Sequence, residues 1–481
     1  MSQLHVGCLY EIFEYLNDDR STLHSCILVN RLWCEVSVKI FWRNGCDYSV
    51  SNFNTLVSCL PNESKEILSK NGITILTKTT KFPTFNYASF CKVLSINHVR
   101  CKVEELLKNE QTISPQILED NTNIVVQEIC KMFMNQISSL EKLILIRTPT
   151  FIHYPETKDC LKNLSELHCY SNISSKTFYQ LSQICQNISL LDISQKSPFI
   201  SDGLADLVSV QKNLKHFILT QYFNDTISSL IKRLPNTLIK LNLRDFNFIS
   251  LLFITEFSNL QELELSFEYK EDFIDFDKLS YASFPQLQIL KFQYLRPNNE
   301  ALVRFLENNG KNLKELYVGV ALGYNNSNNS LNSAISKFCT NIRKFSGGFK
   351  NNELELIFKS CKYLKSIEIF CGDYLLNEKE ALDEVVNYSH KNVTEIILHY
   401  YYSHIQTAEL LPNELESFIV RWASSVPSVP QRSLSFVIVT NDYCGWGLTN
   451  EENMKIIKKY YDLGVIKDFK IRDYDYYDEF D

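Results

Sequence analysis

The residues of this chain that could do covalent or metal chemistry are its nine histidines and 15 cysteines. His390, His399 and His404 form the densest histidine group, beside Tyr400, Tyr401 and Tyr402. A metal centre built on them needs a carboxylate or thiolate, and neighbours that hold the imidazoles in one tautomer. The local spacing supplies neither, so no metal is expected. The cysteines run from Cys8 to Cys444 with no C-x-x-C pair and no zinc-finger spacing. The strings G-x-S-x-G, G-x-x-x-x-G-K-[ST], H-E-x-x-H and G-x-G-x-x-G do not occur. The expectation is a chain that is not an enzyme and holds no cofactor.

The elements that would position any chemistry are apolar and numerous. Of 481 residues, 45% are hydrophobic and 22% charged, enough apolar material for a folded core. The net charge of -7 argues against a nucleic-acid partner, which calls for a basic face. No apolar run reaches the length of a membrane span. The start, MSQLHVGCLYEIFEYL, lacks a basic leader and carries Glu11 and Glu14 inside its apolar stretch, so no signal peptide is expected. The cysteines then read as reduced, buried thiols, and the compartment as cytoplasmic and/or nuclear.

A string of the form L-x-x-L-x-L, usually preceded by Asn, recurs along most of the chain. It appears as SLEKLIL from Ser139, NLSELHC from Asn163, NLKHFIL from Asn213, NLQELEL from Asn259 and NLKELYV from Asn312. Later copies include YLKSIEI from Tyr363, NVTEIIL from Asn392, ELESFIV from Glu414, SLSFVIV from Ser433 and VIKDFKI from Val465. FCKVLSI, with Cys91, Leu94 and Ile96 in the slots, is a possible earlier copy. Most steps between copies fall in the span of leucine-rich repeats. Between the strings lie stretches of helical period, such as SDGLADLVSVQ from Ser201 and ELELIFKSC from Glu353. Cys185, Cys339 and Cys361 each end such a helix, where a small apolar side chain suits a tight corner.

The pattern resembles the cysteine-containing class of leucine-rich repeats over residues 86–481, with about 14 repeats and a short acidic tail, RDYDYYDEFD. It implies an α/β fold: a leucine-rich-repeat solenoid with a curved parallel sheet inside and helices outside. Alternate strand residues would face the core and the concave surface. One repeat cannot bury its own apolar side, so neighbours must stack. Mixed charge and aromatic side chains on the concave face fit a protein-binding surface. The candidates there are Tyr170, Arg244, Glu264, Lys291, Tyr317, Glu368 and Arg421.

Residues 1–45 are a different unit. Leu9, Ile12, Phe13 and Leu16 make one helical stripe, Asn17–Asp19 break it, and two further helices carry Leu23, Cys26 and Ile27, then Trp33 to Trp42. The strings Cys8-Leu9-Tyr10-Glu11-Ile12-Phe13-Glu14-Tyr15-Leu16 and Ser25-Cys26-Ile27-Leu28-Val29-Asn30-Arg31-Leu32-Trp33, with the closing Phe41-Trp42-Arg43, resemble an F-box, so the solenoid would be preceded by a small all-α F-box. Where that family opens with Leu-Pro, this chain has Leu4 followed by His5. Residues 46–85 read as a helical linker, broken at Pro61.

The resemblance implies the substrate-recognition subunit of a Skp–cullin–F-box ubiquitin ligase. Leu9, Ile12, Phe13, Leu16, Leu28, Val29 and Trp33 would bind the Skp-type adaptor, with the cullin ligase core beyond it, and the concave face would hold a target protein. The alternative is a repeat scaffold that is not part of a ligase, whose N-terminal helices only cap the solenoid.

Overall fold

The protein was analysed as a computed structural model, which describes residues 4–73, 83–110, 114–223, 227–245, 249–319, 329–372, 375–400, 410–425, 432–440 and 450–473. They fall into two compact units, Met1–His216 with Asp225–Pro235, and Phe217–Asn224 with Asn236–Asp481. Strands β1 (Val93–Ser95), β2 (Lys142–Leu145), β3 (Glu166–Tyr170) and β4 (Leu190–Ser194) belong to the first. β5 (His216–Thr220) falls at the division. The second holds β6 (Lys240–Arg244), β7 (Glu262–Ser266), β8 (Ile289–Phe292), β9 (Glu315–Tyr317) and β10 (Lys344–Gly348). It continues with β11 (Ser366–Cys371), β12 (Glu395–Tyr400), β13 (Leu434–Thr440) and β14 (Ile466–Asp473). Within each unit the strands are ordered in the sheet as in the chain, and the ladders are parallel. The fold is an α/β leucine-rich-repeat solenoid.

The leucine slots set this register. In the first unit Leu143, Leu167 and Leu191 stand side by side across β2, β3 and β4. In the second, Leu241, Leu263, Leu290, Leu316, Phe345, Ile367 and Ile396 form the same row across β6 to β12. All are buried. A slip of one residue would turn each strand's apolar set outward, so burial fixes the pairing.

Where Asn opens the string, it is a stacking residue. Asn213 Nδ2 donates to Asn187 Oδ1, Asn259 to the Asn236 carbonyl, Asn312 to Pro285, Asn341 to Lys311 and Asn392 to Lys362, at 2.9–3.3 Å. A second ladder runs inside, at the helix-to-strand corners. Cys185 Sγ lies 3.5 Å from the Leu161 carbonyl and Cys361 Sγ 3.6 Å from that of Cys339. Burial pushes the two thiols up, to about 12 and about 11, so they stay protonated donors. Elsewhere a larger donor replaces cysteine. Gln211 Nε2 donates to the carbonyls of Cys185 (2.7 Å) and Leu207 (3.0 Å), and its Oε1 accepts from Ile188 N–H. Asn309 does the same for Ala282, Phe305 and Phe284. His390 Nε2 lies 3.0 Å from the Cys361 carbonyl, and Arg432 donates to those of His390 and Val393.

Two sequence expectations change. ELESFIV is not a strand: it lies in the helix Pro412–Ser424. Leu415, Phe418, Ile419 and Trp422 follow helical spacing and are buried, whereas Val420, a core slot in a strand, is exposed. The copy at FCKVLSI does form β1, so fourteen strands remain with different membership. In SLSFVIV, Phe436 and Ile438 align with Ile396 and Leu398, one residue earlier than the string implies. Of the acidic tail, Arg472 and Asp473 end β14. Its remainder lies outside the described residues, as do His404 and Cys444.

The N-terminal helices are α1 (Val6–Glu14), α2 (Arg20–Ile27) and α3 (Arg31–Phe41), capped by the side chains of His5, Asp19 and Asn30. Their core is Leu9, Phe13, Leu23, Cys26, Val36 and Ile40. Two helices follow, α4 (Val50–Cys59) and α5 (Asn62–Lys70), separated at Pro61, then α6 (Ile96–Glu110) and α7 (Pro115–Gln136). The chain leaving α3 joins the sheet: Asn44 bridges Val93 in parallel, and the Arg43 carbonyl accepts from Lys92 and Val93 N–H. Gly45 permits this approach, because a Cβ there would sit 2.7 Å from the Val93 carbonyl oxygen. Tyr48 OH donates to the Trp42 carbonyl, His98 Nε2 reaches that of Tyr48, and Ser64 Oγ donates to Glu128 on α7.

The inner ladder should matter more than the outer one. Gln211→Ala leaves buried groups of Cys185 and Ile188 unpaired and is expected to destabilise by about 2–4 kcal/mol. Asn213→Ala, on the exposed row, is expected to cost under about 1 kcal/mol. Urea unfolding midpoints of the two variants check the ranking.

Candidate functional site

Two surfaces collect the expected binding residues: the outward strand face and the outside of the N-terminal helices. On the strand face of the second unit, one row stands in register: Asn242, Glu264, Lys291, Tyr317, Ser346, Glu368 and Ile397. Four of the expected residues therefore share a line, because alternation turned the same position outward in each repeat.

Their charges are held by neighbours. Lys291 Nζ lies 3.1 Å from Glu262 and 3.4 Å from Glu264, and Lys240 lies 3.0 Å from Glu262. Burial pushes the Glu262 carboxyl up, but Lys240 and Lys291 outweigh it and hold it below the usual range. Burial likewise works against the Lys291 ammonium, and Glu264 and Glu262 keep its pKa above the ordinary value. The same ammonium sits 5.5 Å over the Tyr317 ring. Burial, with Glu315 beside it, raises the Tyr317 phenol far above its ordinary value, and its OH donates to Glu315. Glu368 is 2.9 Å from His399 Nδ1. These groups are fixed before any partner arrives, so a partner meets a preorganised polar surface.

Tyr170 and Arg244 also face outward, each at the end of its strand, opposite Ser194 and Ser266. Lys196 lies 5.2 Å over the Tyr170 ring. Arg421 does not belong to this face. It sits on the helix Pro412–Ser424 and donates to Asp383 and Asn387 of the helix Glu378–Tyr388. Its placement on a strand followed from reading ELESFIV as a repeat.

The seven expected adaptor residues divide by burial. Leu9 and Phe13 are each 1% exposed and belong to the core of the three helices, which leaves them no surface to offer. Leu16 and Trp33 pack against that core, with the Trp33 ring 5.1 Å from that of Phe13. Ile12, Leu28 and Val29 are exposed, at 47%, 74% and 56%. Tyr15, which stripe counting passed over, is 91% exposed, and Leu4 and Val6 are also exposed. The sequence marked the stripe that packs. Of the stripe, Ile12 alone stays outside, joined there by Tyr15 between stripe positions and by Leu28 and Val29 after α2.

One more constellation went unread. Arg43 donates to both carboxylate oxygens of Glu14, at 2.7 and 2.5 Å, and to Tyr10 OH at 2.8 Å. It ties α1 to the segment that enters the sheet. Glu14 and Arg43 lie 29 residues apart, with no local signal to pair them. Among the described residues no group of three or more His, Cys, Asp or Glu could hold a metal ion, and no helix is long and apolar enough to cross a membrane.

No protein-family model and no curated protein matches the chain. Solved structures similar to it include the leucine-rich-repeat-containing protein LegL7 of Legionella pneumophila, 17% identical, covering 61% of this chain and 93% of that one at a TM-score of 0.32. The yeast Rad7 and Elc1 complex is 13% identical, with coverage of 92% and 87% and a TM-score of 0.39. A leucine-rich-repeat protein of Leptospira interrogans is 15% identical, with coverage of 56% and 86% and a TM-score of 0.26. At such scores nothing is carried from them to this chain. The repeat solenoid is defined by its own parallel ladder and slots.

The clamp gives a pH signature. Arg43 holds the Glu14 carboxyl below its ordinary value of 4.5 against partial burial. A lowered folded value contributes stability that is full above the unfolded pKa and fades as pH falls through the folded one. Glu14→Gln is expected to unfold earlier in urea than wild type at neutral pH and to converge with it in acid. The difference should be small, because the pair is partly solvated. Tryptophan fluorescence, with Trp33 and Trp42 close by, follows it.

Proposed function

We propose that this protein is the substrate-recognition subunit of a Skp–cullin–F-box type ubiquitin ligase. The carrying observation is the apolar set left outside a folded three-helix unit. Leu9, Phe13 and Leu23 already close its core, yet Ile12, Tyr15, Leu28 and Val29 stay exposed. Exposed apolar side chains gathered on one small element mark a protein partner, and these residues lie in the strings that resemble an F-box. The Skp-type adaptor would cover them and bring the cullin core.

In this reading the chain does no covalent chemistry. The strand face holds a target protein, and the ligase's charged ubiquitin carrier reacts with it through proximity. The joint at Asn44 and Val93 supports that role, because a fixed link between adaptor and array keeps the effective concentration of the target high. The same joint also favours a second reading, in which the helices merely cap β1 of a non-ligase scaffold.

Adaptor binding separates the two. Co-expressed with a Skp-type adaptor, the full chain should purify as a stoichiometric complex. Leu28→Asp and Ile12→Asp should each weaken it by about tenfold or more, roughly 1.4 kcal/mol. Neither side chain is in the core, so stability should change by only about 0.5 kcal/mol. A wild-type chain that folds but never retains the adaptor would leave the cap as the role of these helices.

A further inference from the structure

A cavity of about 240 Å³ opens in the first unit where β1 and β2 end. Its walls are the first turn of α6, one face of α7 and the turn leaving β2. The carboxyl ends of parallel strands are where α/β folds tend to seat small ligands. Neither the strand row nor the N-terminal apolar set contributes to it.

Its charge is unbalanced. Arg100 is held in place, with Nη1 2.5 Å from Asn123 Oδ1 and Nη2 3.3 Å from Glu119 Oε1. Arg147 lines the same cavity and has no hydrogen bond or ion pair among the described residues. Two guanidiniums thus stand against one carboxylate. Thr148 and Asn97 add a hydroxyl and an amide to the lining. Buried Phe151 supplies an apolar floor. The positive end of the 15-residue α6 adds to the field but is not needed for the imbalance.

We propose that this cavity binds a phosphate monoester on a small body. Guanidinium forks match the oxygens of a phosphate in a bidentate way, and a dianion answers the excess positive charge. The volume falls below the roughly 300–1,000 Å³ of pockets for drug-sized ligands, so the body is compact. The ester is either a free phosphorylated small molecule or a phosphorylated side chain of a bound protein. The inference does not rest on the adaptor reading, and adaptor retention should be untouched by the variants below.

Isothermal titration of the full chain tests it, with O-phospho-L-serine, L-serine and a short phosphoserine peptide as probes at fixed ionic strength. Saturable binding of a phosphorylated probe, with none for L-serine, is expected. Arg147 is exposed, so Arg147→Ala should fold normally and weaken binding by about tenfold or more. Glu119→Gln, which removes the competing carboxylate, should tighten it. Tighter binding of the peptide assigns the ester to a protein, and tighter binding of O-phospho-L-serine assigns it to a free molecule. No binding of either phosphorylated probe overturns the proposal. So does equal binding of L-serine, or affinity that neither variant moves.

Discussion

Several repeats of this protein leave polar groups at the helix-to-strand corner that a side chain of the next repeat satisfies. A short parallel strand and one helix bury neither their apolar side nor these carbonyls alone. The corner residue reaches back one repeat and closes the account of hydrogen bonds. Gln211 does so with two bonds, Cys185 with one thiol contact, and Arg432 with a buried guanidinium stacked 3.5 Å over Trp422. Burial lowers the Arg432 pKa to about 10, which still leaves it charged at neutral pH. The leucine row and the corner ladder enforce one register, and that register lines up the outward row from Asn242 to Ile397.

The same requirement applies at the N-terminal end, where β1 has a partner strand on one side only. Asn44 and the Arg43 carbonyl occupy part of its open edge. An uncovered edge is a liability for pairing with other chains. The three helices are therefore bound to the array through backbone, and the Arg43–Glu14–Tyr10 clamp holds α1 to that junction. What they present outward, Tyr15 and Leu28 above all, is presented on a fixed base.

Period and phase were legible in the sequence because leucine slots recur with one meaning: core. The three-helix unit was legible from two strings and their spacing. The failures have physical causes. In ELESFIV, L-x-x-F-x-V fits a strand repeat, but Leu415, Phe418, Ile419 and Trp422 equally fit a helix, and Pro412 begins one. Arg421 went astray with it. The corner ladder was half seen: cysteine stands out as a small apolar residue, whereas Gln211, Asn309, His390 and Arg432 look like ordinary polar residues until their partners are in place. For the N-terminal surface, helical periodicity picks out the buried stripe, so Leu9 and Phe13 were marked while Tyr15 was passed over.

The central claim is that the outside of α1 and the turn between α2 and α3 form a docking surface on a rigid base. Hydrogen–deuterium exchange of the full chain, alone and with a Skp-type adaptor, addresses it directly. Added protection should concentrate in residues 4–16 and 28–33, with the amides of β1 and the Arg43–Asn44 junction slow in both states. Unchanged exchange across both segments in the presence of adaptor would contradict the docking surface, and fast exchange at the junction would contradict the rigid base.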